Sequence, residues 1–165
     1  MPTVKNSRAA ILDYLYSLTS KGIHLGLGRV QKFLAVLNHP ERDFKSIHIA
    51  GTNGKGTIAH LTYAACREAG IRTGLYTSPH LRRFNERIVV NGRQIPDAYL
   101  VAFVKKYRRT FDRFQLTFFE ITTAMAFQYF RDQKVEVAVV ETGLGGRLDA
   151  TNTLTPIVSV ICDIA

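Results

Sequence analysis

The spacing of apolar positions changes repeatedly along the chain, and each change marks an element. In residues 7–18, Ala10, Ile11, Tyr14, Leu15 and Leu18 recur at helical spacing behind Ser7, a residue type suited to an N-cap. The glycine-punctuated stretch 22–28 (GIHLGLG) reads as a loop, and 30–37 as a short helix. His39-Pro40 breaks the pattern before 46–57 (SIHIAGTNGKGT), which opens with Ile47, Ile49 and Ala50 as a strand. The following TIAHLTYAACREAG predicts a helix with Ile58, Leu61, Ala65 and Ala69 on its buried face and Gly70 as its stop. Residues 71–76 predict a second strand running into Thr77-Ser78-Pro79-His80. Residues 87–95 predict a hairpin turning at Asn91-Gly92.

Pro96-Asp97 then starts a helix carrying Leu100, Phe103, Val104, Tyr107 and Phe111 at helical spacing. Residues 118–130 predict a buried helix rich in aromatic residues and alanine. Residues 135–140 predict an apolar strand, interrupted by Glu136 and ending at Glu141. After the loop TGLGGRLDATN, 156–164 reads as a last strand. Strands alternating with helices predict an α/β fold, a mostly parallel sheet in a three-layer sandwich. The chain stops almost directly after that last strand, where a strand buried in such a sheet usually leads into another crossover helix.

Composition narrows the class only slightly. The 165 residues suffice for one domain with a sizeable core, and 46% hydrophobic with 21% charged residues is ordinary for a soluble globular protein. No apolar run approaches the length of a membrane span, and no signal-peptide pattern is present. Cys66 and Cys162 lack metal-ligand spacing and read as reduced core thiols of a cytoplasmic protein. With 22 Lys and Arg against 13 Asp and Glu the formal charge is +9. The basic residues are scattered and no nucleic-acid-binding motif accompanies them, so a positive field for small polyanions and a merely solvated basic surface both stay open.

The chemistry concentrates where strand, glycine-rich turn and helix follow one another. Gly51, Gly54 and Gly56 surround Lys55, and this order builds a P-loop-type phosphate cradle: backbone N–H groups approach phosphate oxygens, and the helix dipole favours the charge. Lys55 can reach the terminal phosphates, and Thr57 is placed to offer a hydroxyl to phosphate-bound Mg²⁺. The strict P-loop pattern is not met, since the first spacing is shorter and Gly56 separates Lys55 from Thr57. An ordinary glycine-rich turn is the plain alternative. Glu141 closes a buried strand at the rim where open α/β sheets bind ligands; it is either a Mg²⁺ ligand or a strand-end carboxylate bonded to a loop. Ser78 follows a strand and reaches the same rim. His80 is a candidate phosphate or substrate contact or a structural histidine, and Arg82, Arg83 and Arg87 are anion-binding or solvated. Gly143, Gly145 and Gly146 allow close backbone approach, with Arg147 and Asp149 expected to clamp the loop by pairing together.

Four stretches carry a resemblance: AGTNGKGT at 50–57, TSPHL with FNERI at 77–88, FFEITTAMAF at 118–127 and ETGLGGRLDATN at 141–152. In this order they resemble the folylpolyglutamate synthase/dihydrofolate synthase family of Mur-ligase-like, ATP-dependent amide ligases. The likeness runs from about Leu25 onward, and Gly56 between Lys55 and Thr57 favours the folate branch. It implies that Asn53, Gly54, Lys55, Gly56 and Thr57 bind ATP phosphates, with Lys55 neutralising the transferred charge. It implies that Ser78 and Glu141 hold Mg²⁺, Thr57 joining them, so that Lys55 and Glu141 are the catalytic pair. The pterin-bearing substrate would meet Ile23, His24, Leu25, Thr117, Phe118, Phe119, Glu120, Leu148, Asp149 and Ala150. His24 departs from the acidic or other polar residue expected there.

The implied reaction joins L-glutamate to folate or dihydropteroate through an acyl phosphate, in a cytoplasmic enzyme that is monomeric when complete and has no nucleic-acid or membrane partner. Members of the family are much longer. The chain therefore reads as the N-terminal part, residues 1–165, of the ATP-binding domain, without the C-terminal glutamate-binding domain. It is expected to be inactive alone and to leave apolar surface uncovered at one side of its sheet. The alternative is a non-catalytic nucleotide- or pterin-binding fragment.

Overall fold

The apolar stretches around the glycine-rich turn become neighbouring strands. β1 (Lys45–Ala50), β2 (Thr73–Tyr76), β5 (Val137–Glu141) and β6 (Val158–Ile161) run parallel, and β3 (Ile88–Val90) and β4 (Arg93–Gln94) add an antiparallel hairpin beyond β2. The order across the sheet is β4-β3-β2-β5-β1-β6. This computed structural model describes residues 7–19 and 26–164.

All five residues of β5 are buried, because it lies between β1 and β2 and both its faces are covered. Side chains alternate between the faces along each strand. Ile49, Leu75 and Val139 meet Ala59 and Tyr63 of α3 (Lys55–Glu68) on one side. Tyr76, Ala138 and Val140 join the larger core on the other, with α5 (Phe118–Asp132), α1 (Arg8–Ser17), α2 (Gly28–Val36) and α4 (Asp97–Phe114). The arrangement is the expected three-layer α/β sandwich with a mostly parallel sheet.

Local signals placed several boundaries. The Ser7 hydroxyl accepts from Ala10 N–H at the start of α1 (3.2 Å). Thr117 and Glu120 form a capping box at the start of α5, a feature worth about 1 kcal/mol. The β3–β4 turn has positive φ at both Asn91 (46°) and Gly92 (82°), as a tight two-residue hairpin requires.

Four expectations need correction. α3 buries Ala59 and Tyr63 and leaves Leu61, Ala65 and Ala69 exposed. Its small Ala59 faces the sheet, and the Tyr63 hydroxyl accepts from Gly92 N–H (2.6 Å), so close approach and a polar anchor outweigh the apolar stripe. β2 and β5 each begin two residues later than 71 and 135. β6 occupies only 158–161 of the 156–164 expected, with Val158 and Ile161 exposed on this sheet-edge strand and Ile157 and Ile164 exposed on either side. Cys66 and Cys162 are free thiols but only half-buried, hence not core residues. No helix among the described residues is long and apolar enough to cross a membrane.

Where β2 passes beneath α5, Gly74 leaves room for the buried Phe130 ring: a Cβ built on it would lie 2.8 Å from two ring atoms. We expect Gly74→Ala to destabilise the fold by about 1–3 kcal/mol through overpacking. Gly28→Ala, where nothing stands within 4 Å of the added atom, should leave stability unchanged or slightly raised. Chemical denaturation of both variants checks this; equal midpoints for the two would contradict the packing account.

Candidate active site

The glycine-rich turn leaves β1 at Ala50 and turns directly into α3. Gly51 (φ 138°) and Gly54 (φ 79°) take backbone conformations that side-chain-bearing residues rarely adopt, and Gly51 also passes close to the chain after β6, where a Cβ would sit 2.9 Å from that of Cys162. Asp163 stays against the turn: its carbonyl accepts Thr52 N–H (2.6 Å) and its carboxylate accepts the Asn53 amide (3.2 Å). Gly54 caps α3 without a side-chain hydrogen bond, and no acidic residue occupies the first turn. That opening therefore retains its positive end. The Lys55 ammonium bends back to the Gly51 (2.7 Å) and Thr52 (3.2 Å) carbonyls, while Thr57 is exposed in the first turn.

Glu141 ends β5 and is buried beside that helix mouth, its carboxylate within ordinary contact distance of a Cβ placed on Gly56 (3.7 Å). Its Oε2 accepts the Ser78 N–H (2.9 Å). Burial pushes the Glu141 pKa up, against the opposing effects of the Ser78 hydrogen bond and the positive charge of Lys55. The two residues meet through the Ser78 backbone N–H; a carboxylate with a hydroxyl on the neighbouring residue is a set of donor types that suits a hard divalent cation.

Ser78 also lines a cavity of about 440 Å³. Thr117, Phe118, Phe119, Glu120, Leu148, Asp149 and Ala150 line the same cavity, so two distant sequence stretches meet there. Ile23, His24 and Leu25 lie outside the described residues, although Thr19 and Gly26 on either side of them line the cavity. Sequence reasoning missed Leu18 and Thr19, which carry no chemical signature beyond the end of a helix. Thr117 and Glu120 are engaged in the capping box, and Glu120 also pairs with Arg29 (3.1 Å). Phe118 and Phe119 supply apolar surface.

A ring-and-cation cluster backs the cavity wall at Arg87 and Phe118. Arg87 is buried rather than solvated; its Nε donates to His80 Nδ1 (2.8 Å) and its guanidinium lies 5.2 Å from the Phe118 ring centre. Burial and the neighbouring Arg87 lower the His80 pKa, which keeps the ring neutral and able to accept. Tyr16 stacks on both His80 and Phe118. The Glu86 carboxylate accepts N–H groups from Leu81, Arg82 and Arg83 and fixes the exposed loop beside them, which depresses its pKa.

Asp149 does not pair with Arg147. Its Oδ2 instead accepts Gly143 N–H (2.9 Å) and Leu144 N–H (3.0 Å), and its Oδ1 accepts from Thr151 N–H and hydroxyl. It builds the loop from within.

No protein-family model matches the chain. It is 43% identical over 159 residues to a dihydrofolate synthase/folylpolyglutamate synthase of Bacillus subtilis, covering 92% of this chain and 37% of the relative. The folylpolyglutamate synthase of Mycobacterium tuberculosis, solved with ADP and AMPPCP, superposes with a TM-score of 0.86 at 38% identity, over 96% of this chain and 37% of that one. An FPGS–AMPPCP–folate complex gives 0.84 at 38% identity, over 94% of this chain and 40% of the other. The chain spans somewhat over a third of the length of these proteins, and by sequence and fold it belongs to the folylpolyglutamate synthase/dihydrofolate synthase family.

Proposed function

We propose that this chain is the nucleotide- and acceptor-binding part of an ATP-dependent ligase that joins glutamate to the carboxylate of a folate or dihydropteroate. The observation that carries the reading is the position of Ser78. It lines the cavity, and its N–H binds the carboxylate that stands beside the first turn of α3. A phosphoryl donor at the helix mouth and an acceptor in the cavity would therefore meet over Ser78 and Glu141.

In this reading Asn53 to Thr57 receive the ATP phosphates, and Lys55 exchanges its loop carbonyls for phosphate oxygens. The acceptor carboxylate attacks the γ-phosphate to give an acyl phosphate and ADP, and the amine of glutamate displaces phosphate to form the amide. Such transfer is accelerated by positioning and charge stabilisation. Glu141 and Ser78, with Thr57, would hold Mg²⁺, which supplies charge neutralisation at the phosphates. Phe118, Phe119, Leu148 and Ala150 offer apolar surface to a pterin ring. Relatives solved with a nucleotide analogue and with folate support a nucleotide and a folate-type acceptor as the ligands. The assembled enzyme is read as a cytoplasmic monomer, with this chain in the N-terminal part of its ATP-binding domain and no nucleic-acid or membrane partner.

Lys55→Ala should weaken AMPPCP binding by about 1.5–3 kcal/mol, the worth of one charge-assisted contact, with the fold intact. Calorimetric titration of both forms decides it, and equal affinities would remove Lys55 from the phosphate site.

A second expectation follows from the raised Glu141 pKa. The folded state then holds this proton more tightly than the unfolded chain, so the group's stabilising contribution is present below its unfolded pKa and disappears as pH rises through the folded one. At neutral pH the buried charge is a liability without a cation. Glu141→Gln should therefore melt higher than the wild type near pH 7 in chelator, and the gap should close on acidification. Added Mg²⁺ with AMPPCP should raise the wild-type midpoint more than the variant's. A gap independent of both pH and Mg²⁺ would make Glu141 an ordinary strand-end residue.

A further inference from the structure

Three polar residues form a buried chain beneath one wall of the cavity. His48 on β1 is buried, and its Nε2 lies 2.8 Å from the Thr151 hydroxyl. Thr151 gives its one hydroxyl hydrogen to Asp149 Oδ1 (2.5 Å), so its oxygen must accept from His48. This fixes the tautomer with hydrogen on Nε2. Burial lowers the His48 pKa, consistent with a neutral donor. Beyond Asp149, the chain ends on the Gly143 and Leu144 N–H groups.

Its two ends lie in different surroundings. Gly143, Leu144 and Asp149 line the cavity, whereas His48 and Thr151 do not. The turn has little latitude, since a Cβ on Gly143 would sit 2.5 Å from the Phe119 ring on the facing wall. A small displacement of Gly143 and Leu144 therefore alters the cavity's width. Such buried networks rigidify a site only when every member is satisfied.

We infer that His48 and Thr151 are positioning residues for the acceptor: acting through Asp149, they hold the Gly143–Leu144 turn where a pterin-bearing ligand packs against it. The inference rests on the acceptor reading proposed above, and it predicts that a residue in the strand leading to the phosphate turn governs the other pocket.

The test uses the 165-residue chain with His48→Ala, His48→Gln, Thr151→Ala and Thr151→Ser. Folate and AMPPCP are titrated separately by calorimetry, and amide exchange at Gly143 and Leu144 is followed by NMR. His48→Ala and Thr151→Ala should weaken folate binding about ten-fold and speed exchange at both amides by about the same factor, as loss of one buried hydrogen bond does. His48→Gln and Thr151→Ser retain a donor or hydroxyl and should recover folate affinity to within about two-fold, with AMPPCP affinity held throughout. Unchanged folate affinity in both alanine variants would overturn the inference. So would a parallel loss of folate and AMPPCP binding, or no recovery in the conservative variants, since either means a general structural role. A wild type that binds AMPPCP but not folate would defeat the acceptor reading instead; the exchange rates then decide the positioning role, and unchanged rates in His48→Ala would end it.

Discussion

The site depends on one pairing register. β1 and β5 run parallel with Ile49 opposite Glu141, and Thr142 N–H continues the ladder to the Ile49 carbonyl (2.9 Å). Parallel neighbours leave a sheet at the same end, roughly 4.8 Å apart. The glycine turn after Ala50 and the cavity loop after Glu141 must therefore emerge side by side. β2 leaves the same end on the other flank of β5, which delivers Ser78 to the Glu141 carboxylate. A slip of one residue in β5 would turn Glu141 to the opposite face and separate it from α3.

The carboxylates around this end divide by how fully they are satisfied. Asp149 accepts four hydrogen bonds, Glu86 accepts three backbone N–H groups, and Glu120 completes a capping box while pairing with Arg29. These groups shape loops and a helix end. Glu141 is buried with Ser78 as its hydrogen-bond donor among the described residues, and its pKa moves upward whereas that of Glu86 moves downward. A buried carboxylate held with so little compensation carries a standing free-energy cost, and such costs collect at sites that bind charge. The uncapped start of α3 and the lysine folded onto its own loop belong to the same pattern. Polarity that shapes the loops is satisfied locally, whereas the Glu141 carboxylate and the start of α3 keep theirs largely uncompensated, as the ligand roles proposed for them require.

This distinction explains what could be read from the sequence. Strand and helix order, the hairpin at Asn91-Gly92 and the capping residue Ser7 depend on short-range patterns, and they lie where those patterns put them. The buried face of α3 could not be read so, because choosing Ala59 over Leu61 depends on how closely the helix approaches a sheet assembled from distant segments. The partner of Asp149 was equally hidden. Arg147 is two residues away in sequence, yet the loop turns back so that backbone N–H groups reach the carboxylate first. The cavity itself joins the end of α1, the start of α5 and the loop after β5, and only the residues named through family likeness pointed to two of those walls.

Net charge was uninformative for a related reason. Five cations lie within residues 105–113 of α4, the helix whose apolar side packs beside α1 and α2. Arg108 there lies 4.0 Å from the Tyr14 ring centre, and the Tyr14 hydroxyl donates to Asp112, so part of this charge ties α4 to α1. Exposed charges are screened beyond roughly 8–10 Å at ordinary ionic strength. The potential felt by a phosphate at Gly54 is consequently governed by nearby groups, among them Lys55, the open end of α3, Glu141 and Asp163. Three of these four are a lysine turned inward, a helix end and a buried acid, none of which a total of +9 describes. Whether the site attracts a polyanion is settled by the arrangement of a few groups within one Debye length, with Asp163 and Glu141 opposing the helix end until a cation or an incoming phosphate alters the balance.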